Sequence, residues 1–354
     1  MAQETAKLLA SDGPQTVAVV IPCYRVTAHV LGVIEKIPAD ITQIICVDDA
    51  CPDNSGAHIR SHCHDPRVTV LDNPENLGVG GATKRGFRQA LQDGADVVVK
   101  LDGDGQMDPA LIPALVAPIL SAEADYTKGN RFFTQEAVSA MPRIRLFGNM
   151  VLTLMAKLSS GYWNIFDPTN GFVAIHARVL EHLPLNKIAD RYFFETDMLF
   201  RLNTLRARVI DVPMAAYYGE EESNLKIGTV LLPFLWGHAR NLVKRFVYIY
   251  LLRDFNLASL LALTGIPLFL FSLIYGLSTW ITNAIEGVAT PTGTIMVVSV
   301  GLLSSIQFLM SAFNVDVSSV PNRAIHPFLQ YPAISGANAM ERKDRTDADQ
   351  TVDE

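Results

Sequence analysis

Short apolar runs alternate with helical patterns along the first part of the chain. The apolar runs predict buried β-strands over residues 16–22, 41–47, 68–71 and 97–101. Between them, the spacing of apolar residues predicts helices over residues 29–37, 55–62 and 80–93. Strands that alternate with helices in this way are typical of a parallel α/β sheet with helices on its faces.

The alternation becomes less regular after residue 121. Further strands are predicted over residues 125–131, 172–176 and 208–212, and helices over residues 144–158 and 193–205. We therefore expect one large α/β domain over residues 16–225, preceded by a polar tail over residues 1–15.

Two long uncharged runs follow the α/β domain, at residues 257–281 and 294–315. As a helix, the first run would be about 37 Å long, which is enough to cross a hydrocarbon core of about 30 Å. A buried helix of a soluble protein is the alternative for either run alone. Because two such runs occur in tandem, we favour two membrane spans over residues 256–315.

Basic residues lie outside this hairpin, and none lies in its short connection at residues 283–293. By the positive-inside rule, both termini and the α/β domain are expected in the cytoplasm, with the protein integral to the inner or plasma membrane. The polar N-terminus lacks the apolar core of a signal peptide, which agrees with this orientation, and residues 316–354 would form a polar cytoplasmic tail. The flanking basic residues are Arg240, Lys244, Arg245 and Arg253 before the first run, and Arg323, Arg342, Lys343 and Arg345 after the second.

The segment between the domain and the hairpin, residues 226–255, is amphipathic. Within it, residues 229–252 are apolar on one side and carry His238, Arg240, Lys244 and Arg245 on the other. Such a segment fits a membrane interface, where basic residues meet anionic head groups. A helix packed on the α/β domain is the alternative for its first half.

Composition narrows the classes of partner. The 354 residues carry a net charge of −7, and the soluble part has no basic stripe with interleaved aromatic residues, so we expect no nucleic-acid partner. The four cysteines, in a reducing compartment, are expected to be free thiols: Cys23, Cys46, Cys51 and Cys63.

Two carboxylates stand one residue apart directly after the predicted strand at residues 97–101. The sequence there is Asp102-Gly103-Asp104-Gly105-Gln106. Alternate residues of an extended chain point the same way, so both carboxylates can face one ligand. A plain surface turn is the alternative, whereas a calcium loop is excluded because Met107 and Pro113 stand where that loop needs Gly and Glu. Hard oxygen ligands of this kind suit Mg²⁺ or Mn²⁺ bridging a diphosphate.

Polar residues also follow the first two predicted strands, at residues 22–25 and at Asp48-Asp49. In an open α/β sheet, ligands bind at the carboxyl ends of the strands. We therefore expect these residues and the Asp102–Asp104 pair to meet at one crevice.

Four motifs in order resemble those of family-two glycosyltransferases of the GT-A fold. They are Ile21-Pro22-Cys23-Tyr24, Val47-Asp48-Asp49, Asn76-Leu77-Gly78 with Gly81-Ala82 and Gly86, and Asp102-Gly103-Asp104-Gly105-Gln106. Three later motifs, followed by two spans, are similar to those of the polyprenyl-phosphate glycosyltransferases, such as dolichol-phosphate mannosyltransferases. These are Gly129-Asn130-Arg131-Phe132, Asp167-Pro168-Thr169-Asn170-Gly171-Phe172 and Phe194-Glu195-Thr196-Asp197-Met198.

The resemblance implies roles for individual residues. Asp102 and Asp104 would hold the metal, and Asp104, Arg131 and Asp197 would be catalytic, with Arg131 meeting a phosphate. The donor-binding residues would be Pro22, Tyr24, Asp48, Asp49, Gly78, Lys84, Asp102, Gly103 and Gln106. The acceptor-side candidates are Asp167, Asn170, Glu195, Ser223 and Lys226. Three positions depart from the relatives: Val26 near the nucleoside pocket, and Tyr217 and Asn224, where relatives tend to carry phosphate-binding Arg and Lys.

The implied reaction moves a sugar, with inversion, from a nucleotide-diphosphate sugar to a polyprenyl phosphate on the cytoplasmic face of the membrane. The alternative acceptor is a hydroxyl of a glycan or glycolipid, which would need a carboxylate as base. Asp197 discriminates between the two: as a base it would indicate a hydroxyl acceptor, and as a residue that only orients donor or acceptor it would allow a lipid phosphate. The alternative to both roles is a helix-surface carboxylate that pairs with Arg201. A non-catalytic subunit is a third possibility that the intact Asp102 and Asp104 disfavour. Relatives also form homo-oligomers, so a homo-oligomer is a possible assembly.

Overall fold

The computed structural model describes residues 15–133, 143–214 and 227–329. Its centre is a seven-stranded sheet in the order β3-β2-β1-β4-β6-β5-β7. β6 runs antiparallel to both of its neighbours, and the other paired strands are parallel, as expected for a mostly parallel α/β sheet. The strands are β1 (Val17–Cys23), β2 (Gln43–Asp48), β3 (Val68–Asp72), β4 (Val97–Lys100), β5 (Tyr126–Asn130), β6 (Val173–His176) and β7 (Val209–Pro213).

Helices cover both faces of this sheet and continue into the C-terminal region. In chain order they are α1 (Val30–Glu35), α2 (Ser55–His62), α3 (Val79–Gln92), α4 (Ile112–Leu120), α5 (Arg143–Ser160), α6 (Ala177–Glu181), α7 (Phe194–Leu205), α8 (Ile227–Arg245), α9 (Leu257–Glu286) and α10 (Thr292–Ser318). A π-helical segment, Phe246–Arg253, joins α8 to the loop before α9, and short 3-10 turns lie at Pro109–Leu111, Leu185–Lys187 and His326–Phe328.

The strands and helices predicted for residues 16–212 are present, with ends within two residues of the prediction. Helix α4 was not predicted, because Pro113 and Pro118 interrupt its apolar pattern. Pro113 is tolerated in the first turn, where a backbone N–H would have no intrahelical partner. The preceding 3-10 turn is capped by Asp108, whose carboxylate accepts a hydrogen bond from the backbone N–H of Ala110 at 3.0 Å.

The hydrophobic core lies on the two faces of the sheet because alternate residues of β1 point in opposite directions. Val19 and Ile21 face α1, α2 and α4 on one side, whereas Ala18 and Val20 face α3, α6 and α7 on the other. All four side chains are fully buried. This two-sided burial explains why β1 is apolar along its whole length.

Helices α9 and α10 pack against each other as an antiparallel hairpin with apolar surfaces. At 30 and 27 residues, both are long and apolar enough to cross a membrane. Small residues lie where they touch: an added Cβ at Gly265 would meet Phe308 and Leu309, and one at Gly301 would meet Ser272. Close approach through small residues is typical of helix pairs in membranes.

A buried polar group, the Asp316 cluster, joins the end of α10 to the rest of the protein. It consists of Asp316, Arg245, Tyr250 and Trp163. Arg245 Nη1 donates to Asp316 Oδ1 at 2.6 Å, and Trp163 Nε1 donates to Asp316 Oδ2 at 2.9 Å. The Tyr250 hydroxyl also bonds Asp316 Oδ1. The cluster therefore connects α10, α8, the π-helical segment and the α/β domain.

The chain after α10 returns to the sheet domain. Asp125, just before β5, accepts hydrogen bonds from the backbone N–H groups of Ile325 and His326. The His326 ring stacks on His176 with the ring centroids 4.1 Å apart. Asp316 lies in α10, and Val320, Ile325 and Leu329, from the segment predicted as a polar tail, pack on the core of the α/β domain.

Candidate active site

A cleft of about 410 Å³ opens at the carboxyl ends of β1, β2 and β4. Six of the predicted donor-binding residues line it, together with the predicted metal ligand Asp104: Pro22, Tyr24, Asp49, Gly78, Asp102 and Gly103. It is also lined by Cys23, Val26, Asn76, Val79, Ala82, Arg191 and Tyr192. The structure thus brings together the three strand ends that the sequence predicted to converge.

Asp49 supports the glycine-rich loop that forms one wall of the cleft. Its Oδ1 accepts hydrogen bonds from the backbone N–H of Leu77 at 2.9 Å and from Asn73 Nδ2 at 2.6 Å. Its Oδ2 accepts from the backbone N–H of Gly78 at 2.7 Å. Because the carboxylate is buried and accepts these hydrogen bonds, Asp49 contributes to the shape of the cleft by holding the glycine-rich loop in place.

Gly78 lets the loop approach the segment that follows α6. Its φ is +85°, in the left-handed region that favours glycine. A Cβ there would lie 2.8 Å from the backbone oxygen of Asp190 and 2.9 Å from Arg191 Cγ. The backbone N–H of Gly81 donates to the Asp190 oxygen at 2.9 Å. The glycine-rich loop and residues 189–192 therefore face each other closely and both line the cleft.

Asp102 is positioned by a buried lysine. Lys100 Nζ lies 2.7 Å from Asp102 Oδ1 and 3.3 Å from Glu195 Oε1. Burial alone would lower the pKa of Lys100, but the carboxylates of Asp102 and Glu195 outweigh it and raise that pKa above its ordinary value. Burial raises the pKa of Glu195, against the opposing effect of Lys100. Lys100 thus stays a cation that orients Asp102 towards the cleft.

Asp104 stands at the turn after β4, and its Oδ1 accepts a hydrogen bond from the backbone N–H of Gln106 at 3.0 Å. Gln106 itself is exposed and does not line the cleft. On the far side, Gly171 packs against the Lys100–Asp102 pair so closely that a Cβ would meet Asp102 Oδ2 at 2.7 Å. Gly171, at the end of the turn at residues 167–171, therefore packs against Asp102.

Two predicted donor-binding residues, Asp48 and Lys84, make contacts within the fold. Asp48 is buried, and its Oδ1 accepts from the backbone N–H of Cys51 at 2.7 Å, while its Oδ2 accepts from Gly56 at the start of α2. Lys84 is buried on α3, where Nζ donates to the Ile188 oxygen at 2.7 Å and pairs with Asp190. Neither residue is among those that line the cleft, and each has the partners within the fold that a buried polar side chain needs.

Arg131 and Asp167 pair with each other. Arg131 Nε donates to Asp167 Oδ2 at 2.7 Å, and Arg131 Nη2 donates to Asp167 Oδ1 at 2.9 Å. Asn170 Nδ2 donates to Asp167 Oδ2 at 3.3 Å. This two-pronged pair lies beside the cleft and does not line it. To contact a phosphate, Arg131 would have to bond Asp167 and the phosphate at the same time, or break its hydrogen bonds to Asp167.

Asp197 is fully buried on α7, so it is not a helix-surface carboxylate, and it is not among the residues that line the cleft. Its Oδ2 accepts from the backbone N–H of Ala189 at 3.0 Å, and its Oδ1 accepts from Asn241 Nδ2 on α8 at 2.9 Å. The side chain therefore ties α7 to α8 and to the segment that lines the cleft.

Comparison with known proteins identifies the family of the chain. The profile of the family described as "Glycosyl transferase family 2" matches residues 18–183. An undecaprenyl-phosphate mannosyltransferase of Micrococcus luteus is 34% identical over 176 residues, which cover 49% of this chain and 71% of that protein. The chain belongs to glycosyl transferase family 2.

A second relative and one solved structure extend the comparison. A UDP-N-acetylglucosamine–dolichyl-phosphate N-acetylglucosaminyltransferase of Methanococcus voltae is 26% identical over 215 residues, covering 57% of this chain and 85% of that protein. The crystal structure of mannosyl-3-phosphoglycerate synthase from Rubrobacter xylanophilus superposes with a TM-score of 0.53 at 18% identity, covering 72% of this chain and 80% of that one. This likeness confirms the predicted GT-A fold, and the family confirms that the protein is a glycosyltransferase.

Arg191 and Tyr192 are cleft residues of this glycosyltransferase that the motifs did not single out. They come three and two residues before the motif that begins at Phe194, and Tyr192 is 51% exposed. An exposed aromatic residue next to a basic one, directly before that motif, was the available signal. The acceptor-side candidates Ser223 and Lys226, and the departures at Tyr217 and Asn224, lie outside the described residues.

The four cysteines of the glycosyltransferase are free thiols, as predicted. Among the described residues, no group of three or more His, Cys, Asp and Glu side chains is arranged to hold a metal. The cleft nevertheless offers the two carboxylates of Asp102 and Asp104. Mg²⁺ is commonly held by one or two carboxylates together with substrate phosphates, so this donor set fits a metal that the donor substrate completes.

Proposed function

We propose that the protein transfers a sugar, with inversion, from a nucleotide-diphosphate sugar to a polyprenyl phosphate in the membrane. The observation that carries the proposal is the cleft itself, where the carboxylates of Asp102 and Asp104 and the half-exposed ring of Tyr24 meet at the strand ends. An aromatic ring suits a nucleobase, and paired carboxylates suit a cation on a diphosphate. Both relatives named above act, by their names, on polyprenyl or dolichyl phosphates.

Asp102 and Asp104 would hold Mg²⁺ or Mn²⁺ together with the donor diphosphate. When bound, such an ion neutralises charge that develops on the leaving nucleoside diphosphate. The protein's own contribution is positional. Lys100 and Gly171 fix Asp102 from behind, and the Asp49-supported loop holds Gly78 at the opposite wall.

The position of Asp197 favours a phosphate acceptor over a hydroxyl. A phosphate monoester has its second pKa near about 6, so it is an anionic nucleophile at neutral pH without a base. A sugar hydroxyl needs a carboxylate to take its proton. Asp197, the candidate base, is buried and accepts one hydrogen bond each from Ala189 and Asn241. Its role would be to position α7 and α8.

The membrane context also supports a lipid acceptor. Helices α9 and α10 are long and apolar enough to span a bilayer, and basic residues of α8 and the following segment precede them. In this proposal residues 16–225 form the catalytic domain, residues 226–255 lie at the interface, and both termini are cytoplasmic. A nucleotide sugar made in the cytoplasm would then reach the cleft directly.

A donor and acceptor screen tests this function. Membranes that contain the full chain are given labelled nucleotide sugars, one at a time, with undecaprenyl phosphate or dolichyl phosphate and either Mg²⁺ or Mn²⁺. We expect label in a chloroform-soluble lipid that mild acid releases. Label that appears only in polymer, or in an acid-stable glycolipid, would contradict the phosphate acceptor and favour the hydroxyl alternative.

A further inference from the structure

The cleft has an excess of carboxylates for a site that would bind a diphosphate. Three aspartates line it, Asp49, Asp102 and Asp104, against one basic side chain, Arg191. A nucleoside diphosphate is an anion, so it needs cationic partners beyond any metal that the aspartates hold. Among the lining residues, Arg191 therefore carries the positive charge that could contact the diphosphate.

Three other basic residues of the predicted site and its surroundings, Lys100, Lys84 and Arg131, are engaged by the fold. Lys100 is fully buried between Asp102 and Glu195. Lys84 is buried against Ile188 and Asp190, and Arg131 holds Asp167 with two hydrogen bonds. By contrast, Arg191 is exposed, and no hydrogen bond or ion pair from another residue in the described ranges reaches its guanidinium.

The backbone around Arg191 is fixed from the side of α3. We call residues 189–197 the wall segment. Its Asp190 accepts a backbone hydrogen bond from Gly81 at 2.9 Å and pairs with Lys84. The aliphatic part of Arg191 packs against Gly78, where an added Cβ would lie only 2.9 Å from Arg191 Cγ. The side chain thus leaves a rigid support and faces the cleft.

The wall segment is also braced from the side of α8. The Phe193 ring meets the rings of Phe234 and His238 edge to face, with centroids 5.4 Å and 5.1 Å apart. Gly237 allows this contact, since a Cβ there would lie 2.7 Å from Phe193 Cζ. The Asp197–Asn241 hydrogen bond fixes the other end of the segment. The helix that leads to the membrane therefore supports the wall that carries Arg191.

We propose that Arg191 binds the diphosphate of the nucleotide donor, and that the wall segment, braced between α3 and α8, holds it in place. This inference rests on the proposed function, because it assumes a nucleotide-diphosphate sugar in the cleft. A guanidinium presents parallel N–H donors that match two phosphate oxygens, and its charge does not depend on pH in the working range. Preorganisation by the wall segment reduces the entropy lost when the donor binds.

Binding of UDP and GDP to the purified full chain in nanodiscs, measured by calorimetry with Mn²⁺ present, tests the assignment. Arg191→Gln should weaken the tighter of the two nucleotides by about ten- to a hundredfold, because a charged hydrogen-bonded contact is lost. Arg191→Lys keeps the positive charge but lacks the parallel N–H donors of the guanidinium, so it should lose less affinity for the nucleotide than Arg191→Gln does. The control is Arg88→Gln, an exposed arginine on α3 that does not line the cleft, and it should bind as the wild type does.

The matched nucleosides separate a phosphate contact from a packing defect. Uridine or guanosine should bind Arg191→Gln and the wild type with equal affinity. Equal binding of UDP or GDP by wild type and Arg191→Gln would overturn the inference and leave the proposed function standing. A parallel loss of nucleoside binding would overturn it as well, by assigning Arg191 to packing. A wild-type chain that binds neither UDP nor GDP would instead contradict the proposed donor.

Discussion

The donor cleft and the C-terminal helical region are stabilised by different kinds of contact. At the cleft, polar side chains are satisfied by nearby backbone groups, as where Asp49 holds the loop at Leu77 and Gly78. In the C-terminal region most contacts are apolar, and a few buried polar contacts join distant segments. The Asp316 cluster connects residues up to 153 positions apart in the sequence.

This difference indicates how the two regions respond to change. A substitution in the cleft changes a local turn and its contact with the ligand, but it leaves the sheet behind the turn intact. A substitution in the Asp316 cluster breaks a contact on which the seating of whole helices depends. The cleft should therefore be sensitive in activity, and the helical region sensitive in stability.

The largest stability effect is expected for Asp316→Ala. The variant leaves the buried Arg245 guanidinium without its carboxylate, and removing one partner of a buried pair costs about 3–5 kcal/mol. It also removes the acceptor of Trp163 Nε1. Chemical unfolding in detergent, followed by tryptophan fluorescence, measures the loss.

The matched control is the double variant Arg245→Met with Asp316→Leu. It removes both charges and fills their space with apolar side chains of similar volume, so it should recover most of the lost stability. A double variant as unstable as Asp316→Ala would contradict the ion-pair account of this junction.

The largest activity effect is expected for Asp104→Asn. The substitution keeps the size of the side chain and removes a charge from the cleft, so transfer should fall by at least about a hundredfold. Unfolding should change little, because the hydrogen bond from the Gln106 backbone can still be accepted. The control is Asp108→Asn, which preserves the cap at Ala110 outside the cleft and should keep near wild-type transfer. Equal losses in both variants would show that the turn matters and the cleft carboxylate does not.

Asn241→Ala tests the connection between the two regions. It removes the hydrogen bond to Asp197 from α8, at a net cost of about 1 kcal/mol. If the wall segment transmits this change, the dissociation constant for UDP or GDP should rise by about fivefold. Val243→Ala, an exposed neighbour on the same helix, is the control. Unchanged nucleotide binding in Asn241→Ala would separate α8 from the donor cleft.

The smallest effect concerns acid stability where the C-terminal segment returns to the sheet. Burial, with His326 and Arg178 nearby, lowers the pKa of His176 to about 3, against the opposing charges of Asp125 and Asp96. In the unfolded chain His176 takes up a proton near its ordinary pKa of 6.5, whereas in the folded chain it stays neutral at that pH. The stability that neutral His176 contributes is therefore present above pH 6.5 and is lost as the pH falls below it.

His176→Asn checks this dependence. Between pH 7.5 and 5.5 the wild type should lose about 1 kcal/mol more stability than the variant, since one pKa unit corresponds to about 1.4 kcal/mol. Asparagine can still cap α6 at the backbone N–H of Arg178, which His176 Nδ1 caps in the wild type. Urea unfolding at the two pH values gives the difference, and equal losses in both proteins would rule out His176 as its source.

Sequence alone predicted the strands, the apolar hairpin and the convergence of Tyr24, Asp49 and Asp102, because each depends on local periodicity or on the ends of neighbouring strands. The partners of buried charges were not predictable in this way. Asp197 looked like a surface or catalytic carboxylate, yet it bonds Asn241, 44 residues away. Lys84, predicted to bind the donor, is buried against Ile188 and Asp190, whereas Arg191, which no motif singled out, lines the cleft.

The most direct test of the account compares two lipids that differ in one group. Purified protein in liposomes receives the labelled nucleotide sugar that it uses, with equal amounts of either undecaprenyl phosphate or undecaprenol. We expect label in the organic phase with the phosphate lipid alone, and its release by mild acid. Equal or greater labelling of undecaprenol would contradict the phosphate acceptor.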